Sequence, residues 1–117
     1  MTHAIKRHEP TAILSNAVEG GGLVFTAGVV AKDLNQDVQG QTRQIVDEID
    51  RLLKSCGSDR SKIVSATIWV SDIRHRAAMN EVWTAWLDPK HLPARACIEA
   101  KLADPKASVE IMVTALK

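Results

Sequence analysis

Ile45-Val46-Asp47-Glu48-Ile49-Asp50-Arg51-Leu52-Leu53-Lys54-Ser55-Cys56-Gly57, followed after a short polar link by Ile63-Val64-Ser65-Ala66-Thr67-Ile68-Trp69-Val70, places a helix pattern directly before a strand pattern. The apolar residues of the first run sit at i, i+1, i+4, i+7, i+8 and i+11 from Ile45, which is one stripe of an α-helix. Gly57 is positioned to end it with a left-handed cap. The second run is β-branched and aromatic over a strand's length. A helix leading into a strand, in a chain of 117 residues, points to one mixed domain with a modest core spanning residues 1–117.

Upstream, Leu23-Val24-Phe25-Thr26-Ala27-Gly28-Val29-Val30 reads as a buried strand entered through the turn Gly20-Gly21-Gly22. The segment from Ala12 to Val18 is placed to pair with it as a hairpin, and Lys32 to Gly40 reads as a loop. Downstream, Ser71 or Asp72 can cap a second helix in which Met79, Val82, Trp83 and Trp86 share a face. That helix ends near Asp88-Pro89, because the residue before proline is pushed out of helical geometry. Two further strands follow, Ala94 to about Lys101 and Ser108 to Ala115. The turn chemistry of Asp104-Pro105-Lys106 predicts that they form a hairpin. The expected class is α+β, with two helices on one face of a mixed sheet. Two layers cannot cover both faces of such a sheet, so the uncovered face is expected to be hidden by oligomerisation.

Charge narrows the function classes. Fifteen basic and 14 acidic residues give a net charge of +1 and are scattered, so no basic stripe advertises a phosphate backbone. No nucleic-acid partner is expected. Cys56 and Cys97 lie far apart without metal spacing, which fits reduced thiols in a cytoplasmic protein. The N-terminus lacks a secretory apolar run, and no stretch is long and apolar enough to span a membrane.

The chemistry concentrates in Pro93-Ala94-Arg95-Ala96-Cys97-Ile98-Glu99 and in Glu110. If Ala94, Ala96, Ile98 and Ala100 face the helices, then Arg95, Cys97 and Glu99 face away. On the last strand Val109, Ile111, Val113 and Ala115 form the core set and leave Glu110 on the opposite face. Arg95 and Glu110 are thus expected side by side on the uncovered face. The pair is either a cross-strand salt bridge or a site in which a guanidinium holds a small carboxylate beside a proton-moving group.

Leu92-Pro93-Ala94-Arg95-Ala96-Cys97-Ile98-Glu99, Val109-Glu110-Ile111, Val24-Phe25-Thr26-Ala27-Gly28 and Met79-Asn80-Glu81-Val82-Trp83 together resemble the RidA family, also called YjgF or UK114, in order and over nearly the whole chain. The resemblance implies a chorismate-mutase-like fold assembled as a homotrimer with three sites in clefts between subunits. It implies a hydrolase: a 2-iminobutanoate/2-iminopropanoate-type deaminase turning reactive imines and enamines into 2-keto acids and ammonia, with no cofactor and no metal. By the same match Arg95 binds the substrate carboxylate and Glu110 activates or orients water. The backbone at Cys97 helps place water and the imine nitrogen, and Asn80 matches a helix asparagine. The chain departs from the family at two wall positions. Leu14, in Ala12-Ile13-Leu14-Ser15, stands where many members carry a tyrosine, and Ala27, in Ala27-Gly28-Val29, stands where they carry a serine. The expected pocket is therefore more apolar, with a changed substrate range or rate.

Two other readings stay open. One is a non-catalytic trimer that binds small carboxylates or protein clients as a sensor or chaperone. The other is a ribonuclease, against which stand the balanced charge and the absence of a His or Lys acid/base pair. Cys97 lacks an identifiable base and reads as a buried thiol rather than a nucleophile. His3, His8, His75 and His91 show no metal spacing and read as surface residues. Trp69 reads as a strand aromatic, and Trp83 and Trp86 as helix-core packing.

Overall fold

The computed structural model describes residues 4–117, which places His3 outside the described residues. Six strands form one sheet: β1 (Lys6–Pro10), β2 (Ser15–Gly20), β3 (Leu23–Thr26), β4 (Ile63–Val70), β5 (Ala94–Glu99) and β6 (Val109–Leu116), ordered β1-β2-β3-β6-β4-β5. Helices α1 (Val38–Ser55) and α2 (Arg76–Trp86) pack against each other and over one face.

Local chemistry explains most of these elements. Gly20 pairs with Leu23, so Gly21 and Gly22 make a two-residue turn, and their φ values of 59° and 78° are those a tight hairpin requires. Asp37 caps α1 by accepting the Gly40 N–H at 2.7 Å, so the helix starts inside the segment expected to be loop. Its other end closes with Gly57 at φ 78°. The Gly57 N–H donates to the Lys54 carbonyl at 3.0 Å and the Ser58 N–H to the Leu53 carbonyl at 2.9 Å, the paired bonds of a left-handed cap. Asp72 caps a short 3₁₀ turn, Ile73–His75, that feeds α2. Ile45, Ile49, Leu52 and Leu53 of α1, with Met79 and Trp83 of α2, bury against Ala66, Ile68 and Val70 of β4 and Ile111 and Val113 of β6.

Strand β1 was not read from the sequence. Its Lys-Arg-His-Glu-Pro composition has no apolar alternation, and it forms because β2 offers an edge. The predicted hairpin between the last two strands is overturned. β5 runs parallel to β4, and β6 runs antiparallel to β4 on its other side, so β4 separates them. Asp104 does make a turn, with its carboxylate accepting the Lys106 N–H at 2.9 Å. That turn belongs to a connection passing from one side of β4 to the other. Turn chemistry reverses a chain without dictating which strands then pair.

Candidate functional site

Register decides where the charges point. Residues paired across neighbouring strands project to the same side of a sheet. Arg95 pairs with Ala66, which is buried under the helices, so Arg95 faces the helix layer; Cys97 pairs with buried Ile68 and does the same. Glu110 pairs with Trp69, whose neighbours Ile68 and Val70 are the buried ones, so Glu110 lies on the uncovered face. The expected same-face pair is therefore corrected: within one chain Arg95 and Glu110 occupy opposite sides of the sheet. The set Ala94, Ala96 and Ile98 faces outward, with Ile98 45% exposed. The inversion has a physical cause. β5 is an edge strand only partly roofed by α2, and the long arginine reaches a polar partner there while alanines tolerate exposure.

Arg95 is held from two directions. Its Nη1 donates to Asn80 Oδ1 at 2.6 Å, and its guanidinium carbon lies 5.9 Å from the centroid of the Trp83 ring. Asn80 and Trp83 are three residues apart on α2 and so share a face. Trp83 is itself fixed by Trp86, centroid to centroid 5.6 Å, and the Trp86 indole N–H donates to Asp50 Oδ2 on α1 at 2.9 Å. Among the described residues no carboxylate forms an ion pair with Arg95. Its unused donors are free for a planar anion. Asn80, which the resemblance matches to a helix asparagine, touches Arg95. The role of Trp83 escaped sequence reasoning, although its i, i+3 spacing from Asn80 was a usable signal.

On the other face Glu110 lies against Gly28. A Cβ built at Gly28 would collide with the Glu110 carboxylate, whose Cδ would be 3.0 Å away. Glycine at 28 therefore makes room for the acid. An isolated bridge locks the two segments, with the Val29 N–H donating to the Ile111 carbonyl at 2.8 Å and the reverse bond at 3.0 Å. Ala27 is half-buried and donates its N–H to the Asn16 carbonyl at 2.9 Å. Leu14 ends the turn between β1 and β2, where its N–H donates to Thr11 Oγ1 at 3.1 Å and the residue is 44% exposed. Gly28 also lines a groove of about 570 Å³ beside α1 whose charged members are Lys32, Asp47, Glu48 and Arg51; neither Arg95 nor Glu110 lines it. The candidate residues thus fall into two groups, Arg95, Asn80 and Cys97 on the helix side and Glu110, Gly28 and Ala27 on the open side, with Leu14 in the β1–β2 turn.

Residues 4–117 match the family model described as Endoribonuclease L-PSP. A RutC family protein of Haemophilus ducreyi is 37% identical over 111 residues, covering 95% of each chain. The chain belongs to the RidA/YjgF family. A crystal structure of a YjgF family member from Neisseria meningitidis superposes with a TM-score of 0.95 at 40% identity, covering 98% of this chain and 96% of that one. A Rid family protein of unknown function from Yersinia pestis gives 0.85 at 26% identity over 92% of this chain and 90% of that one. The α+β class, with two helices on a mixed sheet, is that of the RidA/YjgF structures. No helix of the described residues is long and apolar enough to cross a membrane.

Proposed function

We propose that this RidA/YjgF member hydrolyses small 2-imino acids and their enamine tautomers to 2-keto acids and ammonia, in clefts formed between copies of the chain. The observation that carries the reading is Arg95: a half-buried guanidinium, fixed by Asn80 and Trp83, with no ion-pair partner among the described residues. Such a group suits a carboxylate bound through two parallel N–H donors. The acid it needs lies on the opposite face of the same sheet, so the reading pairs Arg95 of one copy with Glu110 of the next.

The open face supports that assembly. Phe25, Val64, Ile98, Met112 and Leu116 are each between 40% and 51% exposed there, an apolar surface that a second copy would cover. A homotrimer closes the arrangement with three equivalent clefts.

In the reaction, Arg95 anchors the carboxylate and sets the imine carbon beside a water held by Glu110. Glu110 accepts a proton as the water oxygen bonds to that carbon and the C=N π electrons move to nitrogen. The acid returns that proton to the nitrogen to give the carbinolamine, whose hydroxyl proton then passes through Glu110 to the nitrogen as the C–N bond breaks, releasing ammonia and leaving a C=O group. The overall balance is imino acid plus water to keto acid plus ammonia. Imines are already electrophilic, so positioning supplies much of the acceleration. Leu14 and Ala27, in place of a phenol and a hydroxyl, leave an apolar wall that favours aliphatic substrates.

The test is keto-acid release from imines generated in situ by an amino-acid oxidase. Wild type is expected to accelerate release, and Arg95→Ala to lose about 100-fold or more in kcat/KM, as fits removal of a charge-assisted bidentate contact. Acceleration that survives Arg95→Ala would sink the mechanism. Keto-acid binding without turnover on any imine would favour a carboxylate sensor instead, the outcome that Leu14 and Ala27 make worth measuring.

A further inference from the structure

At the sheet edge opposite β5, three side chains from three elements converge. His8 on β1, Glu19 on β2 and Cys56 at the C-terminal end of α1 each present a ligand atom, and these atoms lie within 4.8 Å of one another. Register explains the meeting: His8 pairs with Ala17 and Lys6 with Glu19, so His8 and Glu19 project to the helix side, where α1 ends above them. The cluster is sheltered. Cys56 is 2% and Glu19 8% exposed, and the His8 side chain 14%. His8 is thus not the plain surface residue the sequence suggested.

The surroundings favour a cation. The carbonyl end of α1 carries partial negative charge, and Glu19 adds a full one. A cation is already present in the form of Lys117, whose Nζ lies 2.6 Å from Glu19 Oε1 while His8 Nε2 holds Oε2 at 2.5 Å. These two partners hold the Glu19 carboxyl below its ordinary value, and burial pushes the Cys56 thiol up. A metal that takes the thiolate would reverse that second effect by replacing the thiol proton.

We propose that His8, Glu19 and Cys56 bind a thiophilic divalent cation of the zinc class, with the Lys117 ammonium occupying its place when none is bound. Neutral imidazole, carboxylate and thiolate form a mixed donor set that such ions accept, and water completes four-coordination. Donor atoms around a tetrahedral zinc sit about 3.3–3.8 Å apart, so His8 and Glu19 separate by about 1 Å and the thiol closes inward. Binding releases the Cys56 proton to solvent and frees Lys117, whose side chain is already 53% exposed. The bound site is neutral: two ligand charges balance the ion. This assignment is independent of the imine chemistry, since β1 and β5 are opposite edges of the sheet.

The experiment uses the whole chain, stripped with a chelator and titrated with Co²⁺ alone. One equivalent is expected to produce a thiolate-to-cobalt charge-transfer band, displaced by Zn²⁺. Cys56→Ser is expected to abolish the band, and His8→Asn and Glu19→Gln each to weaken affinity by about 10-fold or more. Lys117→Met is expected to tighten it. Circular dichroism checks that each variant folds. Should Cys56→Ser fail to fold, the Zn²⁺-induced rise in Tm of wild type, smaller in His8→Asn at the same Zn²⁺ concentration, carries the same information. Absence of the band in wild type overturns the site. So does a band that disappears with Cys97→Ser instead of Cys56→Ser, or affinity indifferent to both His8→Asn and Glu19→Gln.

Discussion

β5 and β6 flank the same strand, β4, and carry the two charged residues of the candidate site, yet they hold them by different means. β6 is central: Val109, Ile111, Val113 and Ala115 are each 1% exposed or less, and their burial forces Glu110 to the open face. β5 is an edge strand with no residue fully buried, and Arg95 is aimed by contacts with two α2 side chains rather than by the packing of its own strand. Burial places the acid, whereas side-chain contacts place the cation.

That contrast can be broken most severely at Glu110. Glu110→Gln keeps the shape against Gly28 and removes the base, and kcat for imine hydrolysis is expected to fall about 10²–10⁴-fold, measured by keto-acid release. Co-expression with the Arg95→Ala chain sharpens the point. Randomly mixed oligomers place an intact arginine against an intact glutamate in roughly a quarter of clefts and so recover activity. No recovery would mean that both groups serve from one chain, against the register.

Stability should divide in the same way. Ile111→Ala on β6 empties a fully buried site and is expected to cost about 2–5 kcal/mol in denaturant unfolding. Ile98→Ala on β5, at a position 45% exposed, should cost under about 1 kcal/mol in a dissociated chain. Comparable losses at the two positions would undo the distinction between packed centre and contact-held edge.

A smaller effect is expected at the support of Arg95. Asn80→Ala removes one hydrogen bond and should raise KM several-fold with kcat nearly unchanged, the pattern of lost ground-state binding. A fall in kcat alone would assign Asn80 to the chemical step instead.

The mildest expectation concerns acid. Glu19, on β2 beside the edge strand β1, is held below its ordinary value of 4.5 first by Lys117 and then by His8. A depressed carboxyl stabilises the fold above its unfolded pKa, and the contribution is lost as pH falls through the lower folded value. Urea midpoints should therefore decline below about pH 4.5, less steeply in Glu19→Gln than in wild type. Equal slopes would remove Glu19 from the acid response.

Much of this was legible along the chain. The α1 stripe with Gly57, the glycine turn before β3 and the apolar alternation of β6 are strong local signals; α1 and β6 formed over them, while β3, read as far as Val30, ends at Thr26. Leu92 to Glu99 and Glu110 carried the resemblance to the family that the chain belongs to. The partner strand of β5 was not legible, because the small residues Ala94, Ala96 and Ala100 satisfy either face and a turn at Asp104 fits either a hairpin or a crossover. Nor was the glycine clearance at 28, which depends on how closely Glu110 approaches it.

Local pattern was enough for both helices, for β4 and for the core face of β6, because helix and strand periodicities and caps are set within a few residues of chain. Tertiary structure alone decided that β4 separates β5 from β6, that Arg95 turns toward Asn80 and Trp83 while Glu110 turns away, and that His8, Glu19 and Cys56 meet. Those outcomes depend on which strand edges pair and which helix roofs them. They are non-local choices, settled by the burial of the whole sheet.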